Sequence, residues 1–275
     1  MHLRPDEEES TAGRYFTREN AERYRETADE RGIRELGVAE HVYRFVQVLD
    51  VWQHPWFRHW ARDDIDEYCD FVRDETDLRL GIEADFVPGR EDRMANLLDD
   101  REWDYVVGSV HFLRDEAVDL HGEADWAQWD VWRAGDDPDR VWRRYFETLG
   151  EAARSGLYDI LAHPDLVKIF TGQVPRPDGD LRRFYEIAMD GIADSDVAIE
   201  VSTAGLRKPV GEIYPAAPFL EMCLEAGRPV ALSSDAHLPE QLGYEYERAV
   251  SFLGDLGVTE VAVFERRRRR LEPLG

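Results

Sequence analysis

Apolar runs of strand length alternate along the chain with longer segments in which apolar residues recur every three or four positions. The runs fall at 35–40, 78–86, 105–112, 158–163, 197–201, 229–233 and 258–264, and their nearly continuous apolar character suits strands buried on both faces of a parallel sheet. The segments at 17–31, 64–74, 138–154, 180–193, 218–226 and 239–256 predict helices. Thr17 with Asn20 is placed to cap the first of them, and Gly32, Gly227 and Gly257 stand where helices commonly end. Alternating strands and helices without a linker or low-complexity break predict one α/β domain over 1–275, its parallel sheet closed as a barrel. An open doubly wound sheet is the competing architecture, but neither a G-x-G-x-x-G nor a P-loop pattern is present. The stretch 43–62, with Trp52, Trp56, His59 and Trp60, is too aromatic for a simple connector and is expected to be an extended loop over one barrel mouth.

Composition narrows the partners. The 59 Asp and Glu outnumber the 34 Lys and Arg, and a charge of −25 argues against a broad nucleic-acid or anionic-membrane surface. The 43% hydrophobic share still supports a folded core. Cys69 and Cys223 lie in helical patterns without paired spacing, so both are expected as free thiols in a reducing compartment. No apolar run reaches the roughly 20 residues of a membrane span, and the opening MHLRPDEEES has no apolar core of a signal peptide. The expected location is therefore the cytoplasm.

The candidate chemistry is positional. Four of the eight histidines end strand patterns: His41 after GVAE, His111 after GSV, His163 after ILA and His237 after SSDA. Glu83 in LGIEADF and Asp235 in SSDAH follow the same rule. A lone histidine of this kind reads as a hydrogen-bonded core imidazole, but parallel-barrel strands converge at their C-terminal ends, where such barrels place catalytic groups. Six donors meeting there point to a metal site, and imidazole and carboxylate without thiolate suit Zn, Mn or Fe.

Together with His2, the ordered set of Glu40-His41, GIE at 81–83, GSVH at 108–111, AHP at 162–164 and SDAH at 234–237 resembles the PHP (polymerase and histidinol phosphatase) superfamily. The likeness runs nearly end to end, and the length resembles stand-alone histidinol-phosphatase-type members. It implies a distorted (β/α)7 TIM-like barrel, two or three divalent metal ions, and hydrolysis of a small phosphomonoester by metal-activated hydroxide, with L-histidinol phosphate of histidine biosynthesis as the best-matched substrate. By the same resemblance Glu83 bridges two ions and Asp235 and His2 bind one of that pair. His111 and His163 bind the other, and His41 and His237 bind a third. Glu83 and Asp235 are the expected catalytic residues.

A phosphate dianion approaching so acidic a protein needs local positive charge. Lys168, one of two lysines, is the expected phosphate contact, with Arg4 and Arg44 as further candidates, while His54, His59 and His121 are assigned structural or substrate-proximal places. The family pattern opens with an Asp-x-His-x-His element, of which Met1-His2-Leu3 supplies only the last histidine. The expectation is that Met1 is internal to a longer natural chain that completes the first strand, with Asp6 or Glu7 as possible substitutes for a further ligand. The arginine run 266–270 is expected in a final helix paired with carboxylates, and Trp126, Trp129 and Trp132 are expected to cover the barrel. Rival readings are a phosphoesterase acting on nucleotides or another small ester, a metal-dependent amidohydrolase, and a catalytically impaired binding module.

Overall fold

Six of the seven predicted strands hydrogen-bond as one parallel sheet in a computed structural model that describes residues 1–5, 14–99, 101–133 and 137–274. They are β1 (Gly37–His41), β2 (Arg79–Asp85), β3 (Tyr105–Ser109) and, after a small antiparallel hairpin of β4 (Phe112–Leu113) and β5 (Glu116–Ala117), β6 (Ile160–Leu161), β7 (Ala198–Ser202) and β8 (Val230–Ser233). The order β1-β2-β3-β6-β7-β8 follows the chain. Helix α1 (Arg18–Glu30) precedes β1, and α2 (Pro55–Trp60) and α3 (Ile65–Glu75) follow it. The later crossovers carry α4 (Glu91–Asp99), α5 (Pro138–Arg154), α6 (Arg182–Ala193), α7 (Ala217–Glu225) and α8 (Tyr246–Asp255).

The helices form where their termini are satisfied and one face is apolar. Thr17 Oγ1 accepts from Asn20 N at 3.3 Å, and Asp64 Oδ1 accepts from the amides of Asp66 and Glu67. Helix α5 starts with Asp137 as cap and Pro138 in its first turn, then buries Val141, Trp142, Tyr145, Phe146 and Leu149 at helical spacing. It packs on α6 so closely that a Cβ at Gly191 would collide with the Gly150 carbonyl.

The sheet curls until both edges line one interior cavity of about 160 Å³, with Gly37 and Ala39 on one side and Ala231 and Leu232 on the other. Among the described residues β1 and β8 do not pair. The start of the chain stands between them: Ala39 N–H donates to the Met1 carbonyl at 2.9 Å, and His2 N–H to the Ala236 carbonyl at 2.7 Å.

The seventh run is a strand but does not join this sheet. It forms β9 (Glu260–Glu265), which pairs antiparallel with β10 (Arg268–Pro273) because Arg266 and Arg267 turn the chain back with positive φ. Ala262 and Phe264 pack beneath Ala39, Val107, Ile160, Ala198 and Ala231, closing the barrel floor. The arginine run is thus a tight turn leading into a strand rather than a helix, though its expected pairing with acids holds: Arg267 meets Asp159, Arg269 meets Asp196 and Arg270 meets Glu35. Two further segments differ from expectation. The aromatic stretch is a compact run of short helical turns at Val42–Arg44 and Val46–Asp50 followed by α2, and the last helix starts only at Tyr246, after a turn at Pro239–Gln241 and Gly243 in left-handed backbone. Cys69 and Cys223 are free, and no helix among the described residues is long and apolar enough to cross a membrane.

Candidate metal centre

Strand register brings the site together. His41 on β1 is aligned with Glu83 on β2, and Asp85 is aligned with Ser109 on β3, two residues before His111. Because side chains alternate across a strand, Glu83 and Asp85 share one face of β2. The turns after β6 and β8 add His163, Asp235 and His237, and the opening segment adds His2.

The two oxygens of Glu83 face different partners. Oε2 lies 3.3 Å from His2 Nε2 and 3.5 Å from His41 Nδ1. Oε1 lies 3.4 Å from His163 Nε2 and 3.5 Å from His111 Nε2. His2 Nε2 is also 3.1 Å from Asp235 Oδ1, and His41 Nε2 is 3.3 Å from His237 Nε2. Two donors held about 2.1 Å from one ion at tetrahedral or octahedral angles would be roughly 3.0–3.4 Å apart, so this spacing suits a shared cation between them. Glu83 Oε1 is buried with no hydrogen bond among the described residues. A buried carboxylate oxygen that faces two imidazole nitrogens yet makes no hydrogen bond is costly unless a cation joins them. The residues therefore fit divalent ions, and a donor set of nitrogen and oxygen without sulfur matches Zn, Mn or Fe.

Titration follows the same geometry. Burial opposes charge on His2, but Asp235 and Glu83 outweigh it and raise its pKa to about 9. Burial likewise opposes charge on His111, which Asp85, Asp119 and Glu83 raise to about 10. His41 goes the other way, its pKa held well below the usual value by burial and by the neighbouring His2, Arg44 and His237 against the pull of Glu83. Burial alone would push Glu83 up, yet the surrounding His41, His163, His2 and His111 hold it well down.

A layer of buried acids aims the donors. His111 Nδ1 lies 2.9 Å from Asp85 Oδ1, which can only accept, so the proton sits on Nδ1 and Nε2 turns to Glu83. Glu200 on β7 accepts the His163 amide at 2.6 Å. Glu40 Oε1 accepts the amides of Leu3 and Arg4, at 2.5 and 3.2 Å, tying the segment that carries His2 to β1. His163 and Asp235 both have left-handed backbone, with φ of 24° and 45°. In each the amide is captured, by Glu200 in the first and by Ser233 Oγ at 3.0 Å in the second.

The profile of the PHP domain matches residues 17–204. The chain belongs to the PHP domain family. Among curated relatives, one from Deinococcus radiodurans named as a probable histidinol-phosphatase is 37% identical over 198 residues, covering 72% of this chain and 70% of that protein. The histidinol-phosphatase of Bacillus subtilis is 27% identical over 184 residues, covering 64% of this chain and 69% of its own. In fold, this PHP chain matches the histidinol phosphate phosphatase of Lactococcus lactis, solved with zinc, L-histidinol and phosphate. The TM-score is 0.68 at 17% identity, over 98% of this chain and 96% of that one.

The PHP centre opens into a cleft of about 470 Å³ walled by Tyr43, Trp56, Trp60, Trp126 and Tyr214. The expected phosphate contacts fare differently. Lys168 does not line this cleft: it is buried, and its Nζ meets Asp165 Oδ2 at 2.9 Å, Glu212 Oε2 at 3.2 Å and the Ile213 carbonyl at 3.0 Å. The helical turn Leu166–Lys168 points the amine back at Asp165, three residues earlier, which corrects the assignment. Arg4 is buried against Asp63 at 2.8 Å and over the Trp60 ring, also off the cleft. Arg44 does line the cleft, with Nη1 held by Glu40 Oε2 at 2.9 Å and the Arg4 carbonyl at 2.8 Å. The cation overlooked in the sequence is Lys208, exposed at the mouth after β7 with no ion pair among the described residues. His54 bonds the Asp115 carbonyl, His59 packs on Trp60, and His121 pairs with Asp130, all away from the donors. Trp126 lines the mouth, while Trp132 is buried with its indole on the Val118 carbonyl. Asp6 and Glu7 lie outside the described residues.

Proposed function

We propose that this PHP protein is a metal-dependent phosphomonoesterase that converts L-histidinol phosphate to L-histidinol and phosphate. The observation that carries the reading is the convergence of four imidazoles on the two oxygens of Glu83, with Asp235 and His237 beside them, in a chain whose curated relatives are named histidinol-phosphatases. His2, Asp235, His111 and His163 would hold a pair of ions spanned by Glu83, and His41 with His237 a third. Ions held there supply Lewis acidity for the phosphoryl oxygens and lower the pKa of a water to make it a nucleophile.

The protein's own residues do the rest. Glu83 fixes the spacing of the two halves of the centre, and Asp85 and Glu200 fix the directions of His111 and His163. Arg44 and Lys208 supply positive charge along the path of the dianion, a need that grows with a net charge of −25. The aromatic wall displaces water and offers flat apolar surface to the organic half of the ester.

Phosphate release from L-histidinol phosphate, measured beside a panel of mononucleotides on chelated and remetallated protein, tests the proposal. Metal-dependent release, fastest from histidinol phosphate, is expected. Release fastest from a mononucleotide would overturn the substrate, and absence of metal-dependent release from any ester would overturn the chemistry.

A further inference from the structure

One carboxylate in the cleft serves neither the fold nor the donor cluster. Asp119 follows β5 and lines the same cleft as His111, His163 and Lys208, half-buried. Among the described residues it has no hydrogen bond or ion pair, whereas Glu40, Asp85, Glu200 and Asp235 each have a defined partner. It is also absent from the groups of donors that approach one another closely enough to share an ion.

Its position is rigidly set. The preceding residue, Val118, donates its amide to the His111 carbonyl at 2.9 Å and accepts the Trp132 indole at 2.9 Å, so both backbone groups beside Asp119 are pinned. A partly desolvated carboxylate without a partner is unfavourable in the free protein, and it repels an anionic or neutral organic group that would bury it.

A cationic group on the substrate reverses that balance. In a phosphate ester of a 2-amino alcohol the ammonium sits on the carbon next to the ester carbon, so with the phosphate on the centre it stays within reach of the cleft residues nearest the donors. Among the cleft carboxylates, Asp119 is the one next to His111 that is left uncommitted, while Glu123 is exposed on the outer lip. We propose that Asp119 is the specificity residue of the cleft, accepting the substrate's ammonium so that the enzyme selects phosphate esters of 2-amino alcohols over esters of uncharged alcohols. The proposal rests on the histidinol phosphate reading, since histidinol is such an amino alcohol.

The test is Asp119→Asn, with Asp119→Glu as the variant that keeps the charge. Both are assayed as metal-loaded enzyme on L-histidinol phosphate and on p-nitrophenyl phosphate, which has no ammonium, with bound metal measured in each. The ratio of kcat/KM for histidinol phosphate to that for p-nitrophenyl phosphate is expected to fall about 10- to 100-fold in Asp119→Asn, as for loss of a charge-assisted hydrogen bond. The loss should lie mainly in KM, and Asp119→Glu should recover part of it. An unchanged ratio, or an equal loss on both esters together with lost metal, overturns the specificity role. If wild-type protein cleaves p-nitrophenyl phosphate but not histidinol phosphate, the substrate reading itself fails, and the proposal with it.

Discussion

Asp85 offers the sharpest test of the buried acid layer, because its bond to the centre is to a ring nitrogen that faces away from the proposed ions. Its Oδ1 sits 2.9 Å from His111 Nδ1, with Asp85 only 1% exposed, so no water can replace it freely. Replacing it with Ala leaves a buried N–H without an acceptor and frees the ring to turn its Nε2 away from Glu83. Loss of such an orienting partner typically costs 10- to 100-fold in metal affinity, or about 1.4–2.8 kcal/mol. Asp85→Asn separates the two contributions, since its amide oxygen still accepts from Nδ1 but carries no charge. The expected order of affinity is wild type, then Asn with a loss of about tenfold or less, then Ala near the hundredfold end. Competition titration of Zn²⁺ or Mn²⁺ against a chromophoric chelator reads it directly, independent of turnover. If Asp85→Ala binds either ion as tightly as wild type, Asp85 does not aim His111 at a cation and the layered account of the site is wrong.

Three further outcomes follow from the same geometry. Glu83→Gln keeps the shape but removes the charge and one acceptor between the two halves of the site, so turnover should drop by at least about a thousandfold with circular dichroism unchanged; full activity would exclude a bridging role. The pKa values of about 9 for His2 and about 10 for His111 mean that both carry protons at neutral pH in the metal-free protein. Ion binding needs them neutral, so affinity should tighten as pH rises toward 10, the higher of the two values, and weaken as it falls, with proton release visible by calorimetry in buffers of different ionisation heat; binding without proton release would contradict it. Finally, Lys168→Met strands Asp165 in the core and should cost about 3–5 kcal/mol in denaturant unfolding. Lys208→Ala should stay within about 0.5 kcal/mol of wild type while raising KM for the phosphate ester. The reverse pattern would restore Lys168 as the phosphate contact.

Much of the centre was legible because parallel strands impose a common direction. Once 35–40, 78–86, 105–112 and 158–163 read as parallel strands, His41, Glu83, His111 and His163 had to share an end of the barrel. The acids beneath them were not legible. In a chain with 59 acidic residues, nothing in the sequence separates Asp85, Glu200 or Asp119 from solvated neighbours, although Asp85 stands two residues beyond Glu83 and so on its face of the strand. Lys168 misled because distance along the chain from His163 says little about where a side chain points after a tight turn. The run 258–264 misled differently: its pattern identified a strand correctly, but pattern is silent on whether a strand pairs with the sheet or with the next segment, and Arg266–Arg267 decided for the latter.

The left-handed backbone at His163 and Asp235 sets stability and catalysis at odds. Residues with a Cβ hold that conformation at a cost of roughly 1–2 kcal/mol each, which glycine would avoid. A glycine at either place would therefore relax the metal-free protein while deleting one of the proposed donors, so drift toward a sturdier fold would lead away from the proposed activity. Bound ions offset the strain by mass action, and the enzyme's resistance to unfolding should accordingly track the metal supply of its surroundings.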